Sequence, residues 1–302
     1  MPSASPSPAL ESALQRPRKA VSSGWNSLDR ALFAGKRELG LTGTVPRIAS
    51  ELPQEGPSGL VRGGVHEWFG TGDSRGAHSQ GGNHPQGVWA PPLFLLGHLA
   101  ARAVHDASER GAPTHVLWIG RSVWPYPRTL NGGVDLVESA PGRPPQASGS
   151  LSSSLLGFDL ELREVPERFS LADGPLFEHS LFVDPGPAQV GQRLWAIDTA
   201  LRCPSVTAIV ADGSGLPMAG TRRLQLAAAA ADALVLLARP PAEIGEVSAA
   251  TTRWAVTRAQ DAGRADLAGD VKFPNDAEFT SDTAPPRWRI ELLRAKGSQG
   301  IR

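Results

Sequence analysis

Lysine is almost missing from this chain. Among 302 residues there are 26 arginines but only four lysines, Lys19, Lys36, Lys272 and Lys296, and none lies between positions 37 and 271. Chemistry that needs an ammonium group in the body of the chain is therefore excluded. Cysteine is nearly as scarce. The single Cys203 rules out an intramolecular disulfide framework and points to a reducing compartment. No stretch approaches the roughly 18 uninterrupted apolar residues of a membrane span. The first residues, MPSASPSPALESALQRPRK, lack a positive start followed by an apolar core, so they do not read as a secretory signal. A soluble cytoplasmic protein with no membrane association is the expectation.

Net charge is also absent, since 30 basic groups balance 30 acidic ones. The zero hides an asymmetry. Residues 1–37 carry six positive and two negative groups, residues 287–302 carry five and one, and the stretch 38–286 is left at −8. Two basic ends around an acidic middle point to partners rather than to a fold. The 33 glycines and 27 prolines imply many turns and some long loops. At about 150 residues per domain, the length allows one large domain or two small ones.

Hydrophobic periodicity organises the rest. Residues 1–22 read as a disordered Pro/Ser tail, and 23–54 as an N-terminal helical segment with Leu28, Leu32 and Leu39 on one face of 25–39. A core over 55–258 starts with the strand GVHEWF at 64–69. The Gly/His-rich loop 70–88 follows, and then a helix over 91–109 introduced by Pro91 and Pro92. Apolar strands are expected at 115–119, 180–184, 205–211 and 233–238, with helices at 189–202 and 217–231. Residues 138–178 read as a second flexible loop, including the low-complexity stretch 140–154. Strands 252–257 and 287–293 alternate in character, which predicts a half-exposed antiparallel pair at the sheet edge. Between them 259–285 reads as a loop, and 286–302 as an edge strand with a basic tail. Continuous apolar strands alternating with helices predict an α/β fold: a mainly parallel sheet flanked by helices, with an antiparallel edge near the C-terminus.

Strand, glycine-rich loop and buried helix are the layout of a phosphate-binding loop. Such a loop needs GxxxxGK[ST], whose lysine reaches the terminal phosphates and whose hydroxyl holds magnesium. Here Trp89-Ala-Pro-Pro92 stands at the junction, and the two prolines remove backbone donors from the helix start. Gly70, Gly72, Gly87 and Trp89 are what is left of the site. Asp212 ends a strand where a magnesium-associated acid would be expected, but without a partner lysine the preferred reading is an Asp-Gly turn that simply stops the strand. No cofactor, metal or catalytic residue is expected. His66, His78, His84, His98, His105 and His115 lack zinc-ligand spacing and read as core or surface histidines. Gly213-Ser214-Gly215 lacks the spacing of a nucleophile elbow, and Cys203 reads as a small buried residue. Trp118 to Pro127, WIGRSVWPYP, is either a rigid aromatic turn or a docking surface at the carboxyl ends of the strands. Arg222 and Arg223 read as the exposed basic edge of a structural helix.

Several runs together resemble the ImuA family of bacterial RecA-like proteins linked to damage-induced mutagenesis. They are GGVHEW at 63–68, WAPPL at 89–93, WIGR at 118–121 with WPYP at 124–127, LFVDP at 181–185, LWAID at 194–198, ALRCP at 200–204, VADG at 210–213, TRRLQLA at 221–227 and WRIELLR at 288–294. The resemblance spans 55–295, interrupted by the loops, and TRRLQLA is its most specific piece. It implies a RecA-like core. The phosphate-loop lysine is missing, and Gly120-Arg121 stand where a catalytic glutamate would be wanted. The expectation is a non-enzymatic adaptor in SOS-induced, error-prone translesion synthesis. Its implied partners are an ImuB-like polymerase-family protein, an error-prone polymerase and RecA itself. Trp118, Arg121, Trp124, Tyr126, Arg222, Arg223, Trp288 and Arg294 are the docking candidates. Two alternatives remain open at this point. One is a degenerate RecA-like ATPase with an arginine such as Arg75 or a terminal lysine replacing the lost one. The other is a weak, salt-dependent DNA-binding module using the basic ends.

Overall fold

The computed structural model describes residues 20–29, 32, 59–72, 89–130, 135–138, 157–163, 176–186, 190–258 and 287–296. Most of the N-terminal tail, Leu39, positions 73–88 of the Gly/His loop, the low-complexity stretch 140–154 and the loop 259–285 lie outside them.

Strands β1 (Ala20–Val21), β2 (Leu60–Val61), β3 (Gly64–Phe69), β4 (Thr71–Gly72) and β5 (Trp89–Ala90) lead into helix α1 (Leu93–Glu109). Next come β6 (His115–Ile119), the single-turn helix α2 (Pro127–Leu130), β7 (Asp135–Glu138), β8 (Gly157–Arg163) and β9 (Ser180–Val183). Helix α3 (Val190–Ala200), β10 (Val206–Asp212), α4 (Met218–Ala231), β11 (Leu234–Arg239), β12 (Thr252–Arg258) and β13 (Arg287–Ala295) complete the order.

Nine strands form one sheet in the order β7-β8-β13-β12-β3-β11-β10-β6-β9. The six from β12 to β9 run parallel to one another. The other three pair antiparallel. The parallel strands need helices on their faces, because their crossovers cannot be tight turns. The chain leaves β3 through α1 on one face and reaches β6, then β9. It returns through α3 and α4 on the other face to β10 and β11. Two apolar layers result. Leu95, Leu96, Leu99 and Val104 of α1 pack with Trp68, Trp118, Val210, Leu236 and Trp254. Ile197 of α3 and Leu224 and Ala228 of α4 pack with Val65, Ile119, Ile209, Val235 and Leu237. Alternation along each strand sorts these residues to the two faces. Trp68 and Trp254 stack at 5.3 Å across β3 and β12. Burying each large side chain of these layers stabilises the fold by about 1.5–3 kcal/mol.

The N-terminal segment closes the α1 layer. Its helical turn puts Leu28 and Leu32 into the core beside Trp25, as the periodicity predicts. Trp25 stacks on His98 of α1 at 4.3 Å, and β1 pairs with β2.

Four expectations change. Ala20–Val21, read as the end of a disordered tail, form β1 and pair with β2. Residues 157–163, read as part of a flexible loop, form β8 and pair with β13. The strand at 252–258 does pair antiparallel with 287–295, but its start is not half-exposed. Trp254 joins the apolar layer under α1, Thr252 bonds His66, and Arg253 bonds the buried Glu67, so all three are buried. Cys203 is exposed, not buried, since it sits in the turn after α3. Among the described residues, no helix is long and apolar enough to cross a membrane.

Candidate functional site

The first place to look for chemistry is the carboxyl end of the parallel strands, where open α/β sheets bind ligands. At the described ends of the β3–α1 junction the two arms of the chain are paired. Thr71 and Gly72 pair antiparallel with Ala90 and Trp89, so β4 and β5 clasp the base of the connection. Gly70 sits directly beneath this clasp. A Cβ there would lie 2.1 Å from the carbonyl oxygen of Ala90, so only glycine fits. The Gly70 N–H donates to the carbonyl of Arg239 at 3.0 Å and is already committed. At the start of α1 the Leu93 N–H is taken by Pro91 O at 2.8 Å, and Pro91 and Pro92 offer none. Trp89 is partly buried against the core. Gly87 lies outside the described residues.

Asp212, at the end of β10, is engaged in structure. One carboxylate oxygen accepts the Ser214 N–H at 2.9 Å, which makes the turn that stops the strand. The other faces the guanidinium of Arg193 at 3.7 Å. Arg193 also donates to the carbonyl of Ser214, so one buried side chain from α3 closes both ends of the turn. Gly120, after β6, lies against this group with φ +96°, and a Cβ there would come within 3.0 Å of the Asp212 Cβ. The expected catalytic-acid position is thus occupied by the turn into Arg121.

Beside this junction lies a charged cluster that the sequence reading did not single out. Glu67 of β3 is fully buried. Its carboxylate accepts from Arg239 at 2.8 Å, from Arg253 at 2.8 Å and from the Ser248 hydroxyl at 2.6 Å. Arg239 also binds Glu243 and Glu246, and its cation lies 6.0 Å from the Phe69 ring. Burial alone would make Arg239 easier to deprotonate, but the Glu67 and Glu243 carboxylates outweigh it and hold its pKa above the ordinary value. Arg253 lies over the Phe69 ring at 4.7 Å. The only hint in the sequence is an acid inside the otherwise closed strand GVHEWF, since a buried charge requires a partner.

The docking candidates separate by burial. Trp118 is fully buried and donates through its indole to the Ser180 hydroxyl at 3.0 Å, so it is a core residue and not a docking residue. It stands under Phe182, which also meets Trp124 edge-on at 5.6 Å. Arg121 is exposed and binds Asp184 at 2.6 Å. That bond, after the Gly186 N–H, keeps the Asp184 carboxyl below its usual range. Tyr126 is 62% exposed, and Phe94 links it by ring contacts to Trp288, itself half-buried against the core. Arg294 is exposed and donates through one nitrogen to the carbonyls of Ser248 and Ala250, and desolvation lowers its pKa.

The TRRLQLA run resolves residue by residue. Thr221 accepts the Ala249 N–H, and Leu224 fills the core. Gln225 accepts the Val65 N–H and the Thr251 hydroxyl and donates to Gly63 O, tying α4 to β3. Arg223 binds Asp198 of α3 through two nitrogens, at 2.7 and 3.2 Å. That pair, with Arg202, pulls the Asp198 pKa down. Arg222 and Leu226 point to solvent.

The histidines behave as core and surface groups. His66 is buried between Thr252 Oγ1 at 2.7 Å and Val61 O at 3.0 Å, and burial lowers its pKa to about 4. His98 bonds Ser23 O, and His105 faces Glu109. His78 and His84 lie outside the described residues. Among the described residues no group of three His, Cys, Asp or Glu side chains is arranged to hold a metal ion. Neither a known protein-family model nor a curated protein matches the chain.

Proposed function

We propose that this chain is a non-catalytic, RecA-like accessory protein of SOS-induced, error-prone translesion synthesis, similar to the ImuA family, and that it acts through protein contacts. The observation that carries this reading is the condition of the β3–α1 junction and of Asp212. Among the described residues, those flanking the junction and Asp212 are engaged in structural contacts: the β4–β5 clasp over Gly70, the prolines before α1, and the Arg193 and Ser214 partners of Asp212. No lysine is available within 37–271 to replace what is missing. The element order supports the same reading: parallel strands joined by helices, with the vestigial junction between β3 and α1.

The proposed partners are an ImuB-like polymerase-family protein, an error-prone polymerase and RecA. Association with DNA is indirect or weak, because the acidic middle repels phosphates. The test is co-elution of the purified chain with an ImuB-like protein and with RecA, without added nucleotide. Complex formation is the expected outcome. Failure to bind either, together with ATP turnover abolished by Asp212→Ala in a variant that remains folded, would replace the adaptor with an ATPase.

A further inference from the structure

We infer that the outer face of the α3–α4 pair is a docking surface for an acidic, amphipathic segment of a partner protein. The two helices lie side by side. Leu194 of α3 packs on Gly220 of α4, and the Asp198–Arg223 bond joins them further along. On their solvent side Trp195 is 66% exposed and Leu226 is 54% exposed. Each stands in a run whose other members have structural work. In 194–198, Leu194 packs on α4, Ala196 and Ile197 fill the core, and Asp198 holds arginines. In 221–227 only Arg222 and Leu226 lack an inward role. Large apolar groups flanked by arginine are the composition of interface anchors, not of an idle surface.

The charge of the face says what it takes. Arg202, Arg222 and Arg223 are exposed, while Asp198, the acid among them, is buried. Asp198 binds Arg202 and Arg223 together, so two guanidinium groups share one carboxylate and are held in place with donors to spare. Arg222 has no ion-pair partner among the described residues. The face is therefore a preorganised positive patch with apolar anchors, set in a chain segment, 38–286, whose net charge is −8. An acidic peptide gains both terms at once. A nucleic acid gains the arginines but meets the acidic surroundings. A second copy of the chain brings the same positive face.

The test uses the full chain and a variant carrying Trp195→Ala, Arg222→Glu and Leu226→Ala, which leaves the Asp198 bonds and the core untouched. A circular-dichroism melt confirms that the variant folds. A phage-displayed library of random twelve-residue peptides is selected on the wild type and counter-selected on the variant. Enriched peptides should be rich in Asp and Glu with a Leu or aromatic anchor. They should bind the variant about tenfold or more weakly than the wild type. Three results overturn the inference. The first is enrichment of neutral or basic peptides, or of none. The second is oligothymidylate binding that the variant loses, which makes the face a nucleic-acid site. The third is a wild-type dimer that the variant dissociates, which makes it a self-association face.

Discussion

Arg193 of α3 and Asp212 of β10 face each other 3.7 Å apart at the carboxyl end of the sheet, both largely shielded from water. The aspartate in the position expected for magnesium chemistry is instead the anchor of a buried arginine. Removing it leaves that cation without its carboxylate. Asp212→Ala is predicted to destabilise the fold by about 1.5–3 kcal/mol, the range for a hydrogen-bonded charged group. Urea unfolding at pH 7 measures it. An unchanged midpoint would mean that the pair contributes nothing.

Glu67 has a larger task, since Arg239 and Arg253 both depend on it. Glu67→Gln should cost about 3–5 kcal/mol, because it leaves buried Arg253 without a carboxylate and takes from Arg239 its fully buried one. Thermal unfolding checks it. A loss no larger than that of an exposed pair, such as Arg121–Asp184, would contradict the network's role.

His66 gives the fold a pH dependence. Its pKa is lowered from 6.5 to about 4 in the folded chain, so the unfolded chain takes up the proton first. Stability is complete above pH 6.5 and falls as the pH drops toward 4, by up to roughly 3 kcal/mol. Asp184 and Asp198 also have lowered pKa values, but they lose their contribution only below about 3.8, so the two windows separate. Unfolding followed from pH 7 to 4.5 should show the decline, and His66→Gln should flatten it. A parallel decline in the variant would assign the effect elsewhere.

Gly70 is tested by size alone. The Cβ of Gly70→Ala meets backbone, which cannot swing aside. The clasp between β4 and β5 should loosen, at a cost of about 1–3 kcal/mol. Faster amide exchange at Thr71 and Ala90 is the expected signature. Unaltered exchange would show that the clasp is not held there.

The parallel strands β6, β9, β10 and β11 were legible because each is an apolar run with a clear end, whereas β7 and β8 were not. The expected 115–119 and the observed β6 coincide, and α1 starts just after its two prolines. Burial of β12 was not legible. Its alternation of Arg253 with Trp254 looks like one wet face, and the groups that cover Arg253, the Glu67 carboxylate, the Phe69 ring and the carbonyls of Glu243 and Ile244, are brought to it only by the fold. Trp118 misled for a related reason. An indole beside an arginine resembles an interface, but its N–H finds the Ser180 hydroxyl on the neighbouring strand. Trp195 and Leu226 sit in amphipathic helices as expected, yet their exposure depends on how α3 and α4 pack, which periodicity alone does not give.

Isothermal titration of the full chain with ATP and magnesium bears most directly on the central claim, that the β3–α1 junction and Asp212 are structural and not catalytic. The account predicts no binding heat up to millimolar nucleotide. Saturable heat that disappears in Asp212→Ala, with the variant still folded, would contradict it.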